Sequence, residues 1–389
     1  MFVQMGLTGV EIVKSGTNLL WKGQESHQIY KQAFEEPFLS ESGEYYGKLS
    51  QNWLTTSNCP EYISAAAEAL YKEEERADKY LDPSTKPRLL KIIEQEIIEK
   101  HAATLAEMPG TGCEDMFKHD RQDQLGEMFN VFQRCPNTLQ YITNKMRPYI
   151  ESKGEAIVTD QNIVKDSIEF TNKLLALKRE MDGMVDKAFH NHSLFQKTRD
   201  QAFQNFMNKC AYSPHYIASY CDNEFRRGLK GVSTTEAEAR LEAIIKLFVC
   251  LNDRDVYIRS YTKFLAQRLL SNSTVSDEYE QMMIAKLKVE CGHNTVNKLS
   301  RMFTDIAHSK TLNEEFKMLG HNGRPGGVVS SFQVLTNGHW PEQAFSPCQM
   351  PGELNQVIQA FENFYQKKHN GRNLTWLYNQ GNCEVSTLY

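Results

Sequence analysis

Apolar residues recur every three or four positions in stretch after stretch of this chain, and for about 250 residues almost nothing alternates with a period of two. That periodicity commits the chain to packed helices. In 61–81, Tyr62, Ala65, Ala66, Ala69 and Leu70 line one face, and in 85–105 Leu89, Ile92, Ile93, Ile97 and Ile98 do the same. An apolar stripe must be buried against another element, so each helix needs a neighbour. Comparable signals cover 26–46, with Pro37 kinking or dividing it, then 120–132, 138–151, 162–189, 195–209, 215–225 and 235–251. The charge run Lys72, Glu73, Glu74, Glu75, Arg76 reads as a solvated helix face. Short polar turns join these segments without a repeat of fixed length, so any repetition is structural. Divisions are expected near Gly154 and at 251–253.

The last third has a different texture. Amphipathic helices are expected over 255–270, capped by Asp253 or Asn252 and with Arg268 favourably placed at its dipole end, and over 277–291, 294–306 and 353–368. Gly292 is the expected stop of the second. A glycine-rich loop (320–327) precedes the first expected strand, 328–335, and 384–389 reads as an edge strand.

Composition narrows the function classes. The net charge of -5 argues against nucleic-acid binding through whole-chain electrostatics. No run approaches the roughly 18 apolar residues of a membrane span, and residues 1–16 lack the basic start of a signal peptide. Nine scattered cysteines, odd in number and without a CxxC pair, point to a reducing compartment, cytoplasmic and/or nuclear. His190 and His192 alternate, with no acidic or thiol partner to complete a metal site. Cys291 and His293 flank a helix-ending glycine, and neither 110–112 nor 323–327 carries the Lys-Ser/Thr of a P-loop. No catalytic residue, cofactor or metal is expected.

Six blocks in the last third occur in a distinctive order: DRDVYIRSYTKFLAQRLL (253–270), KLKVECG (286–292), KLSRMFTDI (298–306), LNEEFK (312–317), VLTNGHWP (334–341) and FENFYQKKHNGRNLTWLY (361–378). Together they resemble the cullins, scaffold subunits of multisubunit ubiquitin ligases. The earlier part is similar too, through IYKQAFEEPFLSESGEYY (29–46), EEERADKYL (73–81), IIEKHAATL (97–105) and YIASYCD (216–222). The resemblance leaves the cullin subfamily open, with the spacing nearest to the group that uses F-box or related receptors.

The resemblance implies a mainly α fold: stacked cullin-type helical repeats, then a four-helix bundle and the start of an α/β segment. Residues 25–153 and 154–252 would be repeats, 253–327 the bundle and 328–389 a partial α/β segment, with 1–24 a remnant of a first repeat or an irregular terminus. It also implies a non-catalytic scaffold that holds a RING-finger partner, which adds a strand to the cullin sheet, relative to a substrate receptor. Val328, Phe332, Val334, Leu335, Trp340, Trp376 and Leu377 are the expected partner contacts, against the alternative that the tryptophans lock helix to sheet. Relative to a full cullin, most of the first repeat and the later strands, winged-helix domains and modification lysine have no counterpart. Adaptor or receptor binding by the usual surface and regulation by that modification are therefore not expected. The alternative is a naturally short, non-ligase cullin homologue that competes as an interaction module.

Overall fold

Local chemistry decides where the helices begin. The Asn58 side chain accepts from the Glu61 amide at 3.0 Å, and the Glu61 carboxylate accepts from the Asn58 amide at 3.0 Å. This reciprocal cap, with Pro60 in the first turn, starts a helix at Cys59. The computed structural model describes residues 30–319, 328–341, 348–378 and 381. The expected edge strand 384–389, the glycine-rich loop 320–327 and the segment 1–24 lie outside the described residues.

The chain divides into two compact units, one comprising 1–160 and 176–209, the other 161–175 and 210–389. The first holds α1 (Glu36–Thr56), α2 (Cys59–Tyr80), α3 (Thr85–Glu94), α4 (Ala102–Glu107), α5 (Cys113–Lys118), α6 (Gln122–Phe132) and α7 (Leu139–Thr159). It also holds the later part of α8 (Ser167–Phe189) and α9 (Ser193–Met207). Gly154 sits inside α7, and the units divide after Asp160. A Cβ at Gly154 would lie 2.4 Å from the Phe206 ring, so glycine is what lets α7 and α9 approach.

The expected helix 85–105 is interrupted. After α3 a π-helical turn spans Gln95–Glu99, the chain turns at Lys100 and His101, and α4 comes next. Inside that turn the Ile97 carbonyl accepts from the Tyr62 hydroxyl at 2.7 Å. His101 Nε2 then reaches Ser50 Oγ at 3.0 Å, and burial lowers the pKa of His101. His190 and Asn191 form a turn with φ of +47° and +55°. The rings of His190 and His192 pack edge-on against Phe129, with centroids 5.9 and 5.7 Å away.

The second unit contains the start of α8, then α10 (Ser213–Asn223), α11 (Thr234–Val249), α12 (Arg254–Leu270), α13 (Asp277–Cys291), α14 (His293–Met318) and α15 (Gly352–Lys368). α12 packs on α10 and α14, and α13 on α11 and α14. Gly292, at φ +79°, ends α13 and lets α14 begin at once. α14 continues well past the expected end at 306, because 307–311 contains no glycine or proline to stop it.

An ionic joint ties these helices together. The Arg268 side chain is fully buried, and its guanidinium bonds both Glu280 oxygens (2.6 and 2.9 Å) and Asp222 Oδ1 (2.5 Å). Tyr261 and Thr274 hydroxyls each donate to Glu280 at 3.1 Å, and the guanidinium lies 4.9 Å over the Phe225 ring. Arg268 does lie in the last turn of α12, but its side chain is buried there and not solvated. It is the bidentate centre of a buried network.

Candidate partner-binding face

α14 and α15 each carry apolar residues at four-residue spacing, Leu312 and Phe316 on one, Val357, Phe361 and Tyr365 on the other. Leu312, Phe316, Phe361 and Tyr365 form a buried cluster, against which Phe332, Val334, Phe364, Leu374 and Trp376 pack. The Phe332 ring stacks on Phe361, centroids 4.0 Å apart and 21° between planes. Phe316 and Trp376 meet Phe332 edge-on at 5.8 and 5.7 Å. Such pairs contribute about 0.5–1.5 kcal/mol each beyond area burial.

Residues 328–336, expected to be a strand as far as 335, form no β-ladder among the described residues. The backbone is held by side chains of α14. Asn313 Oδ1 accepts from the Phe332 amide (2.7 Å), and its Nδ2 donates to the Phe332 carbonyl (2.6 Å). Ser309 Oγ accepts from the Val334 amide (2.8 Å). Asp305 accepts from the Thr336 amide and hydroxyl, both at 2.8 Å. The segment is not a regular strand here because its neighbour on this edge is a helix. Only alternate residues bond α14 through their backbone: the amides of Gln333 and Leu335 have no backbone partner among the described residues, while the Gln333 side chain donates to the Leu270 carbonyl at 3.1 Å.

The spacing explains the match. Four helix residues rise about 6.0 Å, and two extended residues advance about 6.6–6.8 Å. Three rungs at 305, 309 and 313 therefore meet 336, 334 and 332 in antiparallel order. Sequence reasoning misses these three residues; the available signal is small polar side chains at i, i+4, i+8 beside the apolar Leu312 and Phe316.

Of the seven residues expected to touch a partner, Phe332, Val334 and Trp376 join the apolar cluster. Trp340 donates its indole N–H to Asp305 at 2.8 Å, and Trp376 donates to Glu362 at 2.5 Å. Val328, Leu335 and Leu377 are half-buried but are not part of that cluster, and Val329 is exposed. The His369 ring packs against Tyr365 at a tilt of 46°, centroids 4.6 Å apart, and lies 5.6 Å from the His308 ring. Burial first, then the positive charge of Arg372, lowers its pKa.

The other candidates offer different chemistry. Burial raises the pKa of the Cys291 thiol, the opposite of an activated nucleophile. Among the described residues, no three His, Cys, Asp or Glu side chains are grouped to hold a metal. None of the described cysteines is in a disulfide. No helix among the described residues is long and apolar enough to cross a membrane.

Comparison with known proteins bears on this geometry. Residues 7–313 match the family described as the cullin alpha solenoid domain, and 334–389 match the cullin alpha+beta domain. The chain is 34% identical over 361 residues to Cullin-3A of Arabidopsis thaliana, covering 93% of this chain and 49% of that one. It is 35% identical over 368 residues to Cullin-3 of Dictyostelium discoideum (94% and 48%) and 31% over 381 residues to Cullin-3 of Caenorhabditis elegans (95% and 49%). The chain spans about half the length of the curated relatives it matches.

Proposed function

Because the chain belongs to the cullin family, we propose that it serves as a non-catalytic scaffold in a cullin-RING ubiquitin ligase, holding a RING-finger partner through the face built on 328–336. The observation that carries this reading is the segment itself, half-satisfied among the described residues. One edge of its backbone is bonded to α14, its even-numbered side chains Phe332 and Val334 are anchored in the α14–α15 cluster, and Gln333 and Leu335 alternate with them. Such a segment suits strand addition, in which main-chain bonds give affinity and alternate side chains give specificity. A scaffold contributes proximity: transfer becomes effectively intramolecular when acceptor and donor are held within reach.

The net charge of -5 argues against nucleic acid as a partner, and the described cysteines, none in a disulfide, fit a reducing compartment, cytoplasmic and/or nuclear. The test is affinity purification of the tagged chain from its own cells, with mass spectrometry, and then direct binding of the purified RING-finger subunit. Stoichiometric recovery and direct binding support the scaffold. Normal helical circular dichroism with no RING-finger binding sinks it and leaves a competing interaction module.

A further inference from the structure

We propose that Asp305, Ser309 and Asn313 are positioning residues that set the register of 328–336 before a partner arrives, standing in for the neighbouring strand a sheet would otherwise supply. The inference rests on the strand-addition reading and deepens it, because none of the three need touch the partner.

Register matters because the side-chain period of extended chain is two. A slip of one residue would turn Phe332 and Val334 away from Phe361 and bring Gln333 inward. A slip of two is blocked differently. The flanking positions one helical step away, Arg301 and Lys317, are exposed bases that cannot accept from an amide. A shift toward Lys317 would therefore place a donor opposite the Phe332 amide, and one toward Arg301 would do the same to Thr336. The ladder also ends where the chain turns: the His339 amide donates to the Thr336 carbonyl at 3.3 Å and Gly338 sits at φ +81°. A slip toward Arg301 would also put Ser330 where Phe332 stacks on Phe361, so only the observed register combines three rungs with the aromatic contacts. Ser309 and Asn313 are buried, 3% and 8% exposed, so the amides they hold are shielded from competing water.

A partner strand that docks on a pre-set segment does not have to order it, and that saved entropy appears as affinity. Loss of one rung by Ser309→Ala or Asn313→Ala is expected to weaken binding of the purified RING-finger subunit about fivefold to tenfold. Amide exchange at Phe332 and Val334 in the free chain should accelerate in parallel. Ser309→Thr, which keeps the hydroxyl, should restore both. Gly154→Ala, in the first unit, serves as a destabilised control whose binding is unchanged.

Faster exchange at 332 and 334 with weakened, Thr-rescued binding is the expected result. Faster exchange with unchanged binding overturns the positioning role alone. Unchanged exchange shows that the side chains do not hold the segment and overturns it at its root. Failure of the unsubstituted chain to bind, with its exchange protection intact, overturns the scaffold reading and this role together, and is recognised by that combination.

Discussion

The Arg268 joint and the α14 ladder both use polar side chains to fix parts of the second unit, yet they obey opposite rules. The joint buries a full charge between two carboxylates, with both Glu280 oxygens and Asp222 satisfied and tyrosine and threonine hydroxyls filling the remaining sites. The ladder uses small neutral groups and one half-buried carboxylate, each on a backbone amide. A buried ion pair is all-or-none, because removing one ion strands the other in a low-dielectric interior. A ladder can lose a rung and keep its neighbours. Helices that must not shift are joined the first way, and chain that must present an edge is held the second.

The sharpest way to break this comparison is Arg268→Met, which leaves Glu280 and Asp222 without their buried counter-charge. It should cost about 3–5 kcal/mol, read from the urea midpoint. A loss under about 1 kcal/mol would show the joint to be ordinary. Replacing Glu280 as well, by Leu, should recover much of that loss if an uncompensated charge is the cause.

Asn313→Ala removes a donor and an acceptor from the Phe332 backbone and should cost about 1–3 kcal/mol, measured by thermal unfolding. A cost as large as that of Arg268→Met would erase the distinction between the two devices. Trp340→Phe keeps the ring but deletes its bond to Asp305, leaving the Thr336 contacts intact, for about 0.5–1.5 kcal/mol.

Acid should touch the ladder region more gently still. The folded pKa of His369 is lowered, so the unfolded chain takes up its proton first as pH falls. The stability from keeping it neutral is present above its unfolded value, about 6.5, and is lost as pH drops toward the folded one. Arg268 stays charged throughout, its pKa raised by Glu280 and Asp222 against the cost of burial. His369→Asn should therefore flatten the small decline in melting temperature between about pH 7 and 5, whereas a decline unchanged by it would place the titrating group elsewhere.

Helices bounded by strong punctuation are legible from sequence: α13 runs Asp277–Cys291 and stops at Gly292, as its periodicity and glycine imply. The apolar face of α15 is equally plain, with Val357, Phe361 and Tyr365 buried. What escapes is polar. Arg268 falls seven residues after Tyr261 and Glu280 three before Met283, so opposite charges occupy the inward faces of consecutive helices. That pattern is masked when Arg268 is taken as a dipole partner. Asp305, Ser309 and Asn313 stay hidden as long as α14 is ended at 306, since only a continuous helix aligns them. The expected strand is present in place but not in form, because periodicity reports which faces are buried and not what lies along an edge. The π-helical turn leaves a trace that is easily overlooked: the pairs Ile92–Ile93 and Ile97–Ile98 recur five residues apart, where a regular helix places them three or four apart.

The turn at Gln95–Glu99 therefore carries a consequence of its own. One residue of insertion rotates the residues that follow within the same turn by about 100° of helical phase. The Tyr62 hydroxyl, by occupying the Ile97 carbonyl, stabilises the wider turn against closing into regular helix. Tyr62 on α2 and Ser50 on α1 thus pin the two sides of the break between α3 and α4, one through the Ile97 carbonyl and the other through His101.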